Sequence, residues 1–232
     1  RKNYHLTITA RNDDGVRELN DILSESNITG IYYKNRIDDE LLFGLNPNNV
    51  IITTACCGGR LRDEEGLDEW LIKMKNHFKD NFLLEVQSHI HPYQANYNKK
   101  VIEKSIKHDI KIIHANDSHY IYPSDAVYRD LFLESKGIVY DEEEGFILDY
   151  PDSDEIFRRY KEQGVLTEKQ MIEALNNTLI FDECEELSII NFDIKLPPVS
   201  ENPNKELKQI INKEWNFQKQ SIPKEKWNEY QK

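Results

Sequence analysis

The phrase Ala115-Asn116-Asp117-Ser118-His119-Tyr120 sets a carboxylate and an imidazole two residues apart at the end of an isoleucine-rich run. Alternate residues of an extended chain share a face, so Asp117 and His119 can reach one cation together. The same spacing also suits an Asx turn followed by a packed histidine. A second chemical group stands in Thr53-Thr54-Ala55-Cys56-Cys57-Gly58-Gly59, where a β-branched run meets a glycine turn. A Cys56 thiolate there would complete a site with nitrogen and oxygen ligands, although a single free cysteine is more often a small packed hydrophobe. Cys57 faces the other way and packs. His5 lies on an opening run with Thr7 and Thr9 on its face and Leu6 and Ile8 opposite, either as a ligand or as a satisfied core histidine.

These residues need elements to hold them. Four runs rich in β-branched and apolar residues read as buried strands: Tyr4 to Ala10, Val50 to Ala55, Phe82 to Gln87 and Ile110 to Ala115. Helical patterns lie between them. Val16, Leu19, Ile22 and Leu23 share one face after Asp13 and Asp14. Leu67, Leu71, Met74 and Phe78 share another, and Tyr97 to His108 aligns Val101, Ile102 and Ile106. Alternation of this kind predicts parallel strands with helical crossovers, in an open sheet or a closed barrel, with sites at the strands' C-terminal ends.

Beyond Tyr120 the pattern turns helical, with Phe146 to Leu148 as the one further strand-like run. Ser124 to Lys136 and Asp154 to Gln163 stop at Gly137 and Gly164, each suited to the left-handed position after a helix. Thr167 and Gln170 have capping-box spacing at the head of a helix drawn to Leu187. Lys195-Leu196-Pro197-Pro198-Val199, with Glu201 to Asn204, reads as an extended linker, and Lys205 to Gln218 is helical again. The acidic run Asp141 to Glu144 reads as a solvated loop.

Composition narrows the function. Of 232 residues, 38% are hydrophobic and 31% charged, which suits a globular protein and is too apolar for general disorder. No apolar run approaches the ~18 residues of a membrane span, and the expected location is cytoplasmic. Thirty basic against 42 acidic residues give a net charge of −12, which repels a phosphate backbone. Three cysteines, two of them adjacent, argue against a disulfide framework. The chain opens on Arg1 with a strand pattern already at Tyr4, as though inside a fold.

Five phrases in register carry a resemblance. Tyr4-His5-Leu6 with Ala10 to Gly15, Gly30 to Asp38, Thr54 to Gly59, Glu85-Val86-Gln87-Ser88-His89, and Asn116 to Tyr120 resemble the polymerase-and-histidinol-phosphatase (PHP) domain of bacterial DNA polymerase III alpha subunits. Asn35 stands where that family usually has proline, and Ser88 where it often has aspartate. The resemblance implies an α/β fold, a PHP-type distorted (β/α)7-like barrel incomplete at its N-terminus and with a C-terminal helical extension. Residues 1–150 would be the later part of the barrel, 151–194 its helical C-terminal part, and 195–232 the linker and first helix toward the polymerase palm.

The resemblance also implies metal-ligand roles for His5, Cys56, Asp117 and His119, with His89 and His91 near the site, and divalent zinc or manganese in the intact domain. In this chain alone the resemblance allows for no metal, because the family's His-x-His, Thr-Asp-His-Gly and following Glu motifs belong before Tyr4 and do not occur. His114 has no recognised counterpart. Two functions follow from the resemblance. One is metal-dependent phosphoesterase chemistry, a 3′ to 5′ exonuclease or proofreading activity in the intact parent. The other is a non-catalytic module that stabilises the polymerase. Implied partners are the remainder of the alpha chain and, through it, DNA and replisome subunits, with no membrane.

Overall fold

In chain order the elements are β1 (Thr7–Ala10), α1 (Asp13–Ile28), the hairpin β2 (Ile31–Tyr32) and β3 (Lys34–Asn35), α2 (Asp39–Gly44), β4 (Val50–Thr53), α3 (Leu67–Phe78), β5 (Phe82–Val86), α4 (Pro92–His108), β6 (Ile112–His114), α5 (Ala126–Lys136), α6 (Ser153–Gln163), α7 (Glu168–Asn176), α8 (Pro203–Gln218) and α9 (Trp227–Tyr230). The computed structural model describes residues 2–140, 145–187 and 200–230. The acidic run Asp141 to Glu144 and the Lys195 to Val199 segment lie outside the described residues. Two compact units divide the chain, Arg1–Ser188 and Ile189–Lys232.

The first unit is a mixed α/β structure around a four-stranded sheet in the order β1-β4-β5-β6. β4, β5 and β6 are parallel, joined by α3 and α4 as crossovers. β1 departs from the parallel expectation, pairing antiparallel with β4 through Thr7↔Thr53 and Ala10↔Val50. The physical reason is connectivity. The chain between them leaves and re-enters at the same edge of the sheet, so no crossover to the far edge is needed.

β4, β5 and β6 are short and buried throughout because both faces are covered, whereas β1, Thr7-Ile8-Thr9-Ala10, alternates and is only partly buried. Val50, Ile52, Phe82, Leu84, Val86 and Ile112 pack with Leu71, Met74 and Phe78 of α3, Val101 of α4, Ile156 and Tyr160 of α6, and Met171 and Ala174 of α7. Ile51, Leu83 and Ile113 of the other face pack with Ile180 and Cys184. Each fully buried side chain of this size contributes about 1.5–3 kcal/mol.

Local sequence sets the helix ends. The Asn12 side chain accepts from the Gly15 amide at 2.8 Å to start α1, with Asp13 and Asp14 at the positive end of the helix dipole. Gly137 and Gly164, at φ 64° and 67°, close α5 and α6 in the left-handed conformation. Thr167 and Gln170 form the capping box of α7. That helix ends at Asn176, and a 3₁₀ segment follows over Asn177–Glu183, where the Asn177 side chain donates to the Ile112 carbonyl at 2.7 Å. Residues 146–148 are not assigned as a strand. They lie alongside the Asp117 segment instead, with the His119 amide donating to the Leu148 carbonyl at 2.8 Å.

In the second unit Asn202 caps α8, accepting from the Lys205 amide at 3.1 Å. The helix starts at Pro203 within the stretch expected to be extended, because proline fits the first helical turn. Trp215 and Trp227 meet edge to face with centroids 6.1 Å apart.

Candidate metal centre

Strand direction decides what can meet. β4, β5 and β6 end at one edge of the sheet, and antiparallel β1 begins there. Continuing the β1–β4 register brings His5 opposite the segment that follows β4. The His5 amide donates to the Gly58 carbonyl at 3.0 Å, and His5 Nδ1 lies 3.4 Å from Cys56 Sγ. The turn depends on its glycines. A Cβ on Gly59 would lie 2.1 Å from the Thr54 carbonyl oxygen, and one on Gly58 would lie 2.9 Å from His5 Nδ1. Ala55, immediately before Cys56, takes φ 58°, a left-handed conformation costly for a residue with a Cβ.

Asp117 and His119 follow β6 at the same edge, with His119 Nε2 at 3.7 Å from Asp117 Oδ1. Asp117 also takes a left-handed φ, 52°. His5, Cys56 and Asp117 line one cleft of about 1500 Å³ together with Gln87, Tyr93 and Gln94, and His119 does not line it. The candidate ligands thus form two pairs, His5 with Cys56 and Asp117 with His119. Among the described residues, no three His, Cys, Asp or Glu side chains form a group that could hold an ion.

Burial pushes the Cys56 thiol above its ordinary pKa, opposed by the Gly58 backbone and reinforced by the Asp117 charge. A cation would have to offset the cost of ionising it. Burial likewise drives Cys57 up to about 12, and its thiol donates to Gln94 Oε1 at 2.9 Å, which makes it a packing residue. Behind the cleft, Glu85 is buried and receives Thr53 Oγ1 and Gln87 Nε2, each at 2.8 Å. Its pKa is raised by burial, lowered by those two donors and raised again by Asp117.

The two nearby histidines have partners of their own. His89 Nδ1 lies 3.1 Å from the Ile147 carbonyl, so it carries the proton and leaves Nε2 as a buried lone pair without a partner among the described residues. Burial holds its pKa below the ordinary histidine value. His91 Nδ1 accepts from the Tyr93 amide at 3.2 Å, capping α4, and its ring lies against Phe146 at 4.7 Å.

His114, which has no counterpart in the resemblance, is the last residue of β6. It is buried, with Nδ1 at 2.7 Å from Tyr160 Oη and Nε2 at 2.7 Å from Asn116 Oδ1. Its signal was a lone polar residue ending an apolar strand.

Two imidazoles, a thiol and a carboxylate are donor types that suit a borderline divalent ion. Residues 1–89 match the family model described as the PHP domain. His5, Cys56 and His89 lie within the matched residues, and Asp117 and His119 beyond them.

The chain is homologous to segments of DNA polymerase III alpha subunits. It is 35% identical to that of Aquifex aeolicus over 129 residues, which is 53% of this chain and 11% of the relative. The corresponding figures are 29% over 195 residues for Borreliella burgdorferi, 80% of this chain and 17% of the relative. For Saccharopolyspora erythraea they are 26% over 224 residues, 90% of this chain and 18% of the relative. The chain therefore spans less than a fifth of the length of these relatives.

Proposed function

We propose that this chain serves DNA replication in the cytoplasm as the PHP segment of a DNA polymerase III alpha-type protein, and that the intact protein hydrolyses phosphodiesters at this edge of the sheet. The observation that carries the reading is the 3.4 Å approach of His5 to Cys56, made across the β1–β4 register at the edge that also presents Asp117 and His119. In this reading the sheet is part of a (β/α)7-like barrel. Residues 1–150 supply its later strands, 151–194 its helical completion, and 195–232 the passage toward the palm. The remainder of the alpha chain, DNA and replisome subunits are the partners.

His5, Cys56, Asp117 and His119 would hold divalent metal. When bound, such ions stabilise the attacking and leaving oxygens of a phosphodiester displacement. The protein's part is orientation. The Gly58-Gly59 turn holds Cys56 beside His5, and the backbone bonds from His119 and Tyr120 to Leu148 hold the second pair. Glu85, satisfied by Thr53 and Gln87, forms the buried wall behind them.

Cobalt(II) titration tests the ligand set, since cobalt bound to thiolate absorbs strongly in the near ultraviolet. The band is expected in the wild type and in Cys57→Ser and lost in Cys56→Ser. A band that survives Cys56→Ser, or none in the wild type, would overturn the assignment. For the intact protein, 3′ to 5′ exonuclease activity abolished by the same substitution separates the catalytic role from a scaffold role, in which polymerase stability alone would change.

A further inference from the structure

We propose that α6 is the positioning element of the Asp117 segment, gripping it on both sides through two adjacent residues, Arg159 and Tyr160. The inference rests on the reading of Asp117 and His119 as metal ligands.

One grip runs through charge. Arg159 donates Nη1 and Nη2 to the two carboxylate oxygens of Asp149 at 2.6 and 2.8 Å, and both side chains are buried, at 6% and 5% exposure. Arg159 Nε is held by Glu155 Oε1 at 2.7 Å. Asp149 in turn offers its backbone carbonyl to Ser118 Oγ at 2.7 Å. Its neighbours continue the docking. The Leu148 carbonyl accepts from the His119 amide at 2.8 Å, and the Leu148 amide donates to Tyr120 Oη at 2.8 Å.

The other grip runs through His114. Tyr160 Oη lies 2.7 Å from His114 Nδ1 and 3.1 Å from the Val86 carbonyl oxygen, and His114 Nε2 lies 2.7 Å from Asn116 Oδ1. A neutral ring serves both contacts, Nε2–H donating to Asn116 Oδ1 and Nδ1 accepting the Tyr160 hydroxyl proton.

Asn116 and Ser118 flank Asp117, whose left-handed φ of 52° is a conformation that persists only where its surroundings over-determine it. The two relays supply that determination. Neither Arg159 nor Tyr160 needs to touch a metal ion to aim the carboxylate that would.

Two variants of the full chain test this. Tyr160→Phe removes only a hydroxyl. The double variant Arg159→Met, Asp149→Leu removes the buried pair without leaving a lone charge, a replacement that often preserves stability. Amide hydrogen exchange is read at His119 and Tyr120 and at Leu84 and Ile113 in the sheet, with cobalt(II) affinity measured in parallel. The expected result is at least tenfold faster exchange at His119 and Tyr120, unchanged exchange in the sheet, and cobalt binding weakened by about 10- to 100-fold, as for other outer-shell partners of metal ligands.

Unchanged protection at His119 and Tyr120 in both variants would overturn the proposal. So would equal acceleration in the sheet, which would mean that α6 acts only on global stability. Absence of cobalt binding in the wild type would remove the ligand reading and leave the exchange arm to decide the positioning.

Discussion

Buried His114 should make the protein sensitive to mild acid. Burial lowers its pKa to about 4 from the ordinary 6.5, so the folded state refuses a proton that the unfolded chain accepts. Its contribution is therefore fully present above pH 6.5 and lost as pH falls from 6.5 toward 4. At about 1.4 kcal/mol per pH unit the whole gap is worth about 3 kcal/mol, of which about 2.5 kcal/mol falls between pH 7.5 and 4.5. Against a domain stability of about 5–15 kcal/mol this is a large share.

The assay is urea denaturation followed by tryptophan fluorescence, for wild type and His114→Gln, at intervals from pH 7.5 to 4.5. Glutamine keeps a polar partner for Asn116 or Tyr160 but does not titrate. The variant should be less stable at pH 7.5, and its stability should fall about 2 kcal/mol less than that of the wild type on acidification. Parallel curves, differing in slope by under about 0.5 kcal/mol over that range, would refute the reasoning and place the acid sensitivity elsewhere.

Three further outcomes are expected. Glu85 is buried with a raised pKa, so the folded state is penalised as pH rises from the ordinary carboxylate range through the folded value; Glu85→Gln should raise the melting temperature more at pH 8 than at pH 4.5, and an equal shift at both would count against it. The 232-residue chain should take up zinc or manganese substoichiometrically and degrade no DNA, since four ligands in two pairs leave each ion incompletely coordinated; tight stoichiometric metal by elemental analysis would contradict this. With a net charge of −12 it should show no duplex binding at physiological salt. Arg60 and Arg62 are already engaged, lying 4.9 and 5.5 Å from the Tyr4 ring centroid and donating to the Asp63 and Asn3 carbonyls. Micromolar binding to fluorescent primer-template that weakens steeply with salt and is lost on changing both arginines to alanine would overturn that.

Much of this architecture is written in local sequence. The β-branched runs, the Gly137 and Gly164 stops and the Thr167–Gln170 box specify their own elements because the causes act within a few residues. The direction of β1 is not legible, since an apolar strand reads the same in parallel and antiparallel neighbours. The two-residue strands around Tyr33 are too short for any period. The tail helix ends at Asn176 rather than Leu187 because Asn177 bonds to β6, a contact far away in sequence. For the candidate site, the ligand residues stand at strand ends where their types draw attention. Around the Asp117 segment, His114 stands out only as a polar residue ending an apolar strand, and Asp149, Arg159 and Tyr160 give no local sign of the contacts the fold makes for them.

The antiparallel pairing of β1 with β4 also bears on how this domain can vary. Residues 11–49 leave and return at the edge opposite the candidate ligands, and the hairpin tip in that excursion, at Tyr33, is 91% exposed. Length can therefore be added or removed there without altering the β1–β4 register that sets His5 beside Cys56. The excursion is a natural port for inserted recognition sequences in evolution and for reporter domains in the laboratory, and because Ile31, Lys34 and Asn35 line the same cleft as His5 and Cys56, such additions would border the candidate site.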